Sequence, residues 1–264
     1  MKRRTALGAM TAGSLCACAA TQATRPPADR PMLVLVHGAW HGAWCWERVL
    51  PLLQEDGWKA VALTLPGLAE DHGELSTGID LEAHVAAVVQ AADRLGVPVA
   101  LVGHSYGGFV VTGAADRLAP SGRLRSVVYL DAFVPRNGEK TADYMAPEAR
   151  AALQAAFARG DAAYKPPPVR FFGVQEPADA AWAQARVSPQ PAGTYLQPLK
   201  LSGELPATVK KAYIACQSPR LPVFDETKVR IRNDPRWTYR ELQTGHDAMI
   251  ITPRELASMI GAVA

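Results

Sequence analysis

The run Val97–Leu118, VPVALVGHSYGGFVVTGAADRL, passes from a buried-strand composition to a helical one across the six residues Gly103-His104-Ser105-Tyr106-Gly107-Gly108. Val97 to Val102 is the apolar, β-branched kind of run that fills a strand covered on both faces. Tyr106 to Leu118 carries its apolar residues at helical spacing. A turn this tight between strand and helix holds its central residue in a strained conformation and requires small neighbours two positions away on each side, which Gly103 and Gly107 supply. Ser105 then projects from the strand end. The next backbone N–H, that of Tyr106, points to the same place, and the helix N-terminus adds positive potential there. A glycine-rich turn that merely needs small residues gives this spacing by chance; the flanking strand and helix are what point to a nucleophilic serine.

Working outward, strand and helix alternate. Met32–Val36 is a short apolar run, and Trp46–Gln54 follows with helical spacing. Trp58–Leu65 is a second strand closed by Pro66-Gly67. Asp80 caps a helix that runs to Leu95 and stops at Gly96. Ser126–Leu130, Lys211–Cys216 and Trp237–Leu242 are further strands, and Pro253–Val263 is a closing helix. The alternation predicts an α/β domain over residues 32–264, with a mostly parallel, doubly wound sheet and helices on both faces. The rhythm breaks between about 135 and 208. There Pro166-Pro167-Pro168, Pro177, Pro189, Pro191, Pro198, Pro206 and scattered aromatics mark a small inserted cap with a helix at Pro147–Arg159.

A serine hydroxyl is a poor nucleophile until a base takes its proton, and histidine suits that task near neutrality. Of six histidines, His246 in Thr244-Gly245-His246-Asp247 follows the last strand. His72 and His84 read as structural or solvated, and His104 as packing beside the serine turn. His37-Gly38-Ala39-Trp40 follows the first strand, where a second amide donor for an oxyanion is expected. The candidates are the N–H groups of Ala39 and Tyr106. Gly38, Trp40 and His104 are the candidate pocket residues.

The chain has 264 residues, 28 of them Lys or Arg and 25 Asp or Glu. The first twenty hold Lys2, Arg3, Arg4 and no acid, so the body is formally neutral and lacks the basic surface of a nucleic-acid binder. No apolar run reaches the roughly 18 residues of a membrane span. Residues 1–20 read as an export signal, with a basic start, an Ala- and Gly-rich apolar stretch and small residues at Ala17, Ala19 and Ala20. Arg3-Arg4-Thr5-Ala6-Leu7 resembles a twin-arginine signal, and Leu15-Cys16-Ala17-Cys18 a lipoprotein box with Cys18 as the lipidated residue. The expected location is the periplasm or the medium. Residues 21–31 form a polar, Pro-rich linker. Cys45 and Cys216, the two remaining cysteines, have no metal-ligand spacing and read as buried thiols. No metal cluster or phosphate loop is found.

HGAWHGAWCW (37–46), LTLPG (63–67), GHSYGG (103–108) and TGHDAM (244–249) resemble the α/β-hydrolase superfamily, and within it the group of plant methylesterases, hydroxynitrile lyases and related bacterial esterases. The resemblance covers about residues 32–264. It implies an α/β-hydrolase core under a small cap and hydrolysis of a small, apolar ester through an acyl-enzyme, with no cofactor. In that family the acid of the triad usually follows the next-to-last strand, but Ile214-Ala215-Cys216-Gln217-Ser218-Pro219 holds no carboxylate. Asp131, at the end of the strand after the nucleophile helix, is the better candidate; Asp225, in Phe224-Asp225-Glu226, is the alternative. The related lyases carry a lysine just after the histidine and a hydroxyl residue in the first-strand loop, where this chain has Asp247 and Gly38. A hydroxynitrile lyase, or a ligand receptor on the same scaffold, are the alternatives. Ser105 argues against a haloalkane dehalogenase or epoxide hydrolase, related enzymes that carry a carboxylate at that position.

Overall fold

The computed structural model describes residues 30–69 and 75–264. The expected export signal with Cys16 and Cys18, the expected linker up to residue 29, and His72 lie outside the described residues. Strand β1 (Met32–Val36) leads through α1 (Leu50–Glu55) to β2 (Ala60–Leu63), then α2 (Leu81–Leu95), β3 (Val99–His104), α3 (Gly107–Leu118) and β4 (Leu124–Leu130). Next come α4 (Pro147–Ala158), β5 (Ala163–Tyr164), α5 (Pro177–Gln184), β6 (Gln190–Pro191) and α6 (Gly193–Leu196). The chain ends with β7 (Lys210–Cys216), α7 (Asp225–Arg232), β8 (Thr238–Leu242), α8 (Ala248–Ile251) and α9 (Pro253–Val263).

Six strands form one sheet in the order β2-β1-β3-β4-β7-β8, every neighbouring pair parallel. This is the α/β-hydrolase fold. Alternate residues of each strand serve opposite faces, which is why the strands read as continuous apolar runs. Val34, Val36, Leu101 and Val127 pack with Leu81, Val85 and Val88 of α2 and Phe109 and Val110 of α3. Leu33, Leu35, Val102, Val128 and Ile214 pack with Leu53 of α1 and Leu256 and Ile260 of α9. The α2 cap forms as its sequence predicts, with Asp80 Oδ1 accepting the Ala83 N–H at 3.0 Å and Gly96 closing the helix at φ 64°.

Of the strands whose limits differ from expectation, β3 and β2 start late for identifiable reasons. Val97 is exposed, and Pro98 has no N–H to give a ladder, so β3 begins at Val99. At β2, the Leu65 N–H turns aside to His37 Nε2 (3.1 Å), and Trp58 packs against Gly261 of α9 instead of pairing. Among the described residues no helix is long and apolar enough to cross a membrane.

The strand order reverses between β1 and β3. A crevice outside the carboxyl ends of the strands opens at such a switch point. The loop after β1 and the turn after β3 both lie there, so the topology alone delivers Ala39 and Ser105 to one place.

Candidate active site

Ser105 occupies φ 53°, a left-handed conformation costly for a residue with a side chain. The surroundings over-determine it. Its N–H donates to Leu130 O (3.2 Å), and its carbonyl accepts from Gly108 N–H (3.0 Å) and Phe133 N–H (3.2 Å). A Cβ on Gly103 would stand 2.6 Å from Val111 Cγ2, and one on Gly107 2.7 Å from His37 O. Larger residues at either position would push the turn off β3 or off the first-strand loop. Among the described residues the half-buried Ser105 hydroxyl has no hydrogen-bond partner.

The first-strand loop packs directly on this turn, since a Cβ on Gly38 would lie 2.9 Å from Ser105 Cβ and 2.8 Å from His104 Nδ1. His37 fixes the loop's peptide plane. Its Nε2 accepts the Leu65 N–H, so the proton sits on Nδ1 and is donated to Gly38 O at 2.7 Å. The Gly38 carbonyl and the Ala39 N–H belong to one planar trans peptide and point in opposite directions. Holding the carbonyl therefore aims the N–H. Ala39 and Tyr106 are buried, and among the described residues neither backbone N–H has a partner. Trp40 at φ 65° is held from the segment between β4 and β7. Its N–H donates to Gln190 Oε1 (3.0 Å), its indole N–H to Tyr164 O (2.9 Å), and its carbonyl accepts the Ser188 N–H (2.9 Å).

His246 follows β8 and is buried. Its Nδ1 donates to Asp131 Oδ2 at 2.7 Å. Asp131 directly follows β4 at φ 39°, with its N–H on Ile214 O at 2.7 Å, and its other oxygen takes the Cys216 N–H at 3.1 Å. The structure thus brings Asp131 to His246, whereas Asp225, the other candidate, is the first residue of α7 and pairs with Arg220 at 3.4 Å. His104 lies behind the base, its ring centroid 4.5 Å from that of His246 and its Nε2–H on His246 O at 3.1 Å. Asp247 accepts from His41 Nε2 at 3.1 Å, while His41 Nδ1 donates to Ala39 O at 2.7 Å. His104, His246 and Asp247 bring ligand-type atoms together; each residue makes one of these hydrogen bonds, while His104 Nδ1 and Asp247 Oδ1 have no hydrogen-bond partner among the described residues. Cys45 and Cys216 are buried free thiols.

Burial sets most of the titration behaviour. It lowers His37 to about 3 and His84 to about 4, so both stay neutral in use and their tautomers hold. Burial also works against charge on His41, but the Asp247 carboxylate outweighs it and raises that residue above its ordinary value. The signs oppose. His41 contributes stability at low pH that is lost as pH rises through its raised value. For His37 and His84 the unfolded chain takes up protons from about pH 6.5 downward while the folded chain does not. Stability is therefore expected to fall by about 1.4 kcal/mol per pH unit for each of the two as pH drops below about 6.5. Urea midpoints stepped from about pH 7 to about pH 4 check this, and a His84→Phe variant should show the shallower slope.

Two features were not legible from sequence. The His41–Asp247 pair joins the oxyanion-side loop to the histidine loop across 206 residues. Lys228 of α7 is buried with its ammonium 2.7 Å from Asp131 Oδ1. No apolar pattern marks Lys228, because the inward residues of α7 are Thr227, Lys228 and Ile231.

The family profile described as "Alpha/beta hydrolase family" matches residues 33–259. The chain is 34% identical over 241 residues to the carbendazim hydrolyzing esterase of Nocardioides sp. (strain SG-4G), covering 87% of this chain and 98% of that protein. It is 25% identical over 252 residues to methylesterase 10 of Arabidopsis thaliana, covering 88% and 90%. Among solved structures, an extracellular alpha/beta-hydrolase from a Paenibacillus species superposes with a TM-score of 0.75 at 22% identity, over 89% of this chain and 99% of that one.

Proposed function

This chain belongs to the alpha/beta hydrolase family and is related along most of its length to carboxylic ester hydrolases; from that premise we propose that it is a serine carboxylesterase acting on small, apolar esters through an acyl-enzyme. The observation that carries the reading is the 2.7 Å bond from His246 Nδ1 to Asp131, at the strand ends that also present Ser105. Two unspent amide donors, those of Ala39 and Tyr106, support it. The aspartate accepts the Nδ1–H and so leaves the Nε2 lone pair free to act as base.

Ser105 Oγ attacks the ester carbonyl carbon as His246 Nε2 takes the hydroxyl proton. The carbonyl oxygen becomes an oxyanion held by the Ala39 and Tyr106 N–H groups, close to the N-terminus of α3. Collapse breaks the bond to the alcohol oxygen, which leaves with the proton from His246. Water then attacks the acyl-serine, giving a proton to His246. A second collapse releases the acid and returns that proton to Ser105. The hydroxyl lacks a partner before substrate binds, in keeping with serine–histidine bonds that tighten only in the complex.

Rings gather around the base. Phe224 stacks on His246 at 5.3 Å, Phe172 lies at 5.8 Å, and Trp40 is 5.8 Å from Phe172. That wall favours an apolar acyl or alcohol group. A lyase reading finds no support, because Asp247 is committed to His41 and the nearby buried cation, Lys228, is committed to Asp131. A panel of p-nitrophenyl esters of graded acyl length, together with fluorophosphonate labelling located by mass spectrometry, tests the proposal. One label per chain at Ser105, with turnover of the short esters, is expected; no turnover or a label elsewhere would sink it. Export rests on the basic start and apolar stretch of residues 1–20, and the N-terminal sequence of the mature protein from its native cells tests it.

His37 supplies a further prediction. His37→Phe frees the Gly38 carbonyl, and the Ala39 N–H is no longer aimed. Loss of one oxyanion donor costs about 10²-fold or more in kcat. We expect that fall with KM little changed, read from steady-state kinetics on the best ester of the panel.

A further inference from the structure

Helix α7, DETKVRIR, turns Thr227, Lys228 and Ile231 inward. Lysine is almost never buried unless paired, because its ammonium loses hydration that only a well-placed anion returns. Lys228 has that anion. Its Nζ lies 2.7 Å from Asp131 Oδ1 and donates to Cys216 O at 2.9 Å. The same Oδ1 takes the Cys216 N–H at 3.1 Å, while Oδ2 faces His246 Nδ1 at 2.7 Å. The ammonium also lies 5.9 Å from the ring centroid of Phe224, which stacks on His246. One carboxylate is thus shared between the Lys228 ammonium and the imidazole.

We propose that Lys228 is a positioning residue that acts through Asp131: its charge opposes the imidazolium form of His246 and keeps the base free at lower pH. The inference rests on the esterase reading above. A triad with a lone aspartate is anionic at rest and becomes neutral when the imidazole gains a proton. With Lys228 present, the cluster is neutral at rest and carries a net positive charge once His246 is protonated. In a buried site that difference opposes protonation from solvent.

The other groups packed there do not undo it. His104, on β3, is held far below its ordinary value by burial and is uncharged. The Cys216 thiol on β7 is pushed up by burial and is also uncharged. The charges of Asp247 and His41 pair with each other. On the outer side of Lys228, Arg220 pairs with Asp225 and Arg232 with Glu241, and Tyr239 borders the same cavity. A lysine that only fastened α7 to the sheet would leave the pH dependence of catalysis where it was.

The test is kcat/KM against pH with a p-nitrophenyl ester, for the parent enzyme, Lys228→Gln, Lys228→Arg and Ser105→Ala. Glutamine keeps a donor toward Asp131 and removes the charge. Its acid limb is expected to move to higher pH by about one unit, or about tenfold in rate at a fixed pH on that limb. Arginine keeps the charge, and its limb should stay with the parent's even where kcat falls. A folded Lys228→Gln protein whose limb coincides with the parent's overturns the proposal, as does a uniform loss of rate at every pH. If melting shows that the glutamine variant does not fold, the arginine variant decides, and an upward-shifted limb there overturns it. Full hydrolysis by Ser105→Ala would instead refute the esterase reading itself.

Discussion

Ser105→Ala is expected to lower kcat for ester hydrolysis by about 10⁶-fold, the scale seen when a serine nucleophile acting in concert with its base is removed. The variant should stay folded. In the resting structure the hydroxyl has no partner among the described residues, so its removal breaks no hydrogen bond. The left-handed backbone at φ 53° is enforced by Leu130 O and by the Gly108 and Phe133 N–H groups, all of which bind Ser105 through its main chain. Alanine meets the same constraint at similar cost. A melting temperature within about 2 °C of the parent, alongside lost turnover, separates loss of chemistry from loss of fold. Some acceleration over water should survive, about 10³-fold, because the Ala39 and Tyr106 amides and the binding surface remain. A variant retaining more than a percent or so of parent turnover would mean that bond breaking does not pass through an acyl-serine.

The serine turn was legible because its geometry is local. The clashes that demand glycine at positions 103 and 107 come from Val111, Gly107 and the first-strand loop, a fixed framework wherever this turn occurs. The strands were legible for a related reason, since parallel strands covered on both faces must be apolar throughout. Their ends were less so. Pro98 and the diverted N–H of Leu65 trim β3 and β2 through single hydrogen bonds that no apolar pattern records. Helix α7 escaped notice because its inward positions are a threonine, a lysine and one isoleucine, with no apolar stripe to reveal the period. The grip on Trp40 escaped for a different reason. Its partners Gln190, Tyr164 and Ser188 lie more than a hundred residues away and bind mostly through backbone atoms, which carry no sequence signature.

Asp131→Asn carries the second large effect, about 10⁴-fold in kcat, with Asp225→Asn close to the parent. The sequence favours Asp131 over Asp225, and their surroundings now separate them. Asp225 is paired with Arg220 at the start of α7, and amidation there should cost a fraction of a kcal/mol. Asp131 is an acceptor on both oxygens: Lys228 Nζ and Cys216 N–H meet Oδ1, and His246 Nδ1–H meets Oδ2. Asparagine has only one acceptor oxygen. Two donors, one of them charged, stand on the Oδ1 side against a single imidazole on the other, so the amide oxygen settles toward Lys228 and its NH₂ faces His246. The imidazole then accepts at Nδ1 and carries its proton on Nε2, where the lone pair for Ser105 should be. The defect is thus one of tautomer, with the ring still in place. A mere loss of negative charge would weaken the base without blocking it. The two cases differ at high pH, because raising pH restores a weakened base but leaves a wrong tautomer wrong. Persistent inactivity of Asp131→Asn up to about pH 9, with a normal melting profile, is the expected result. Recovery on the alkaline side would show that Asp131 acts through its charge alone. An inactive Asp225→Asn beside an active Asp131→Asn would move the triad acid to α7.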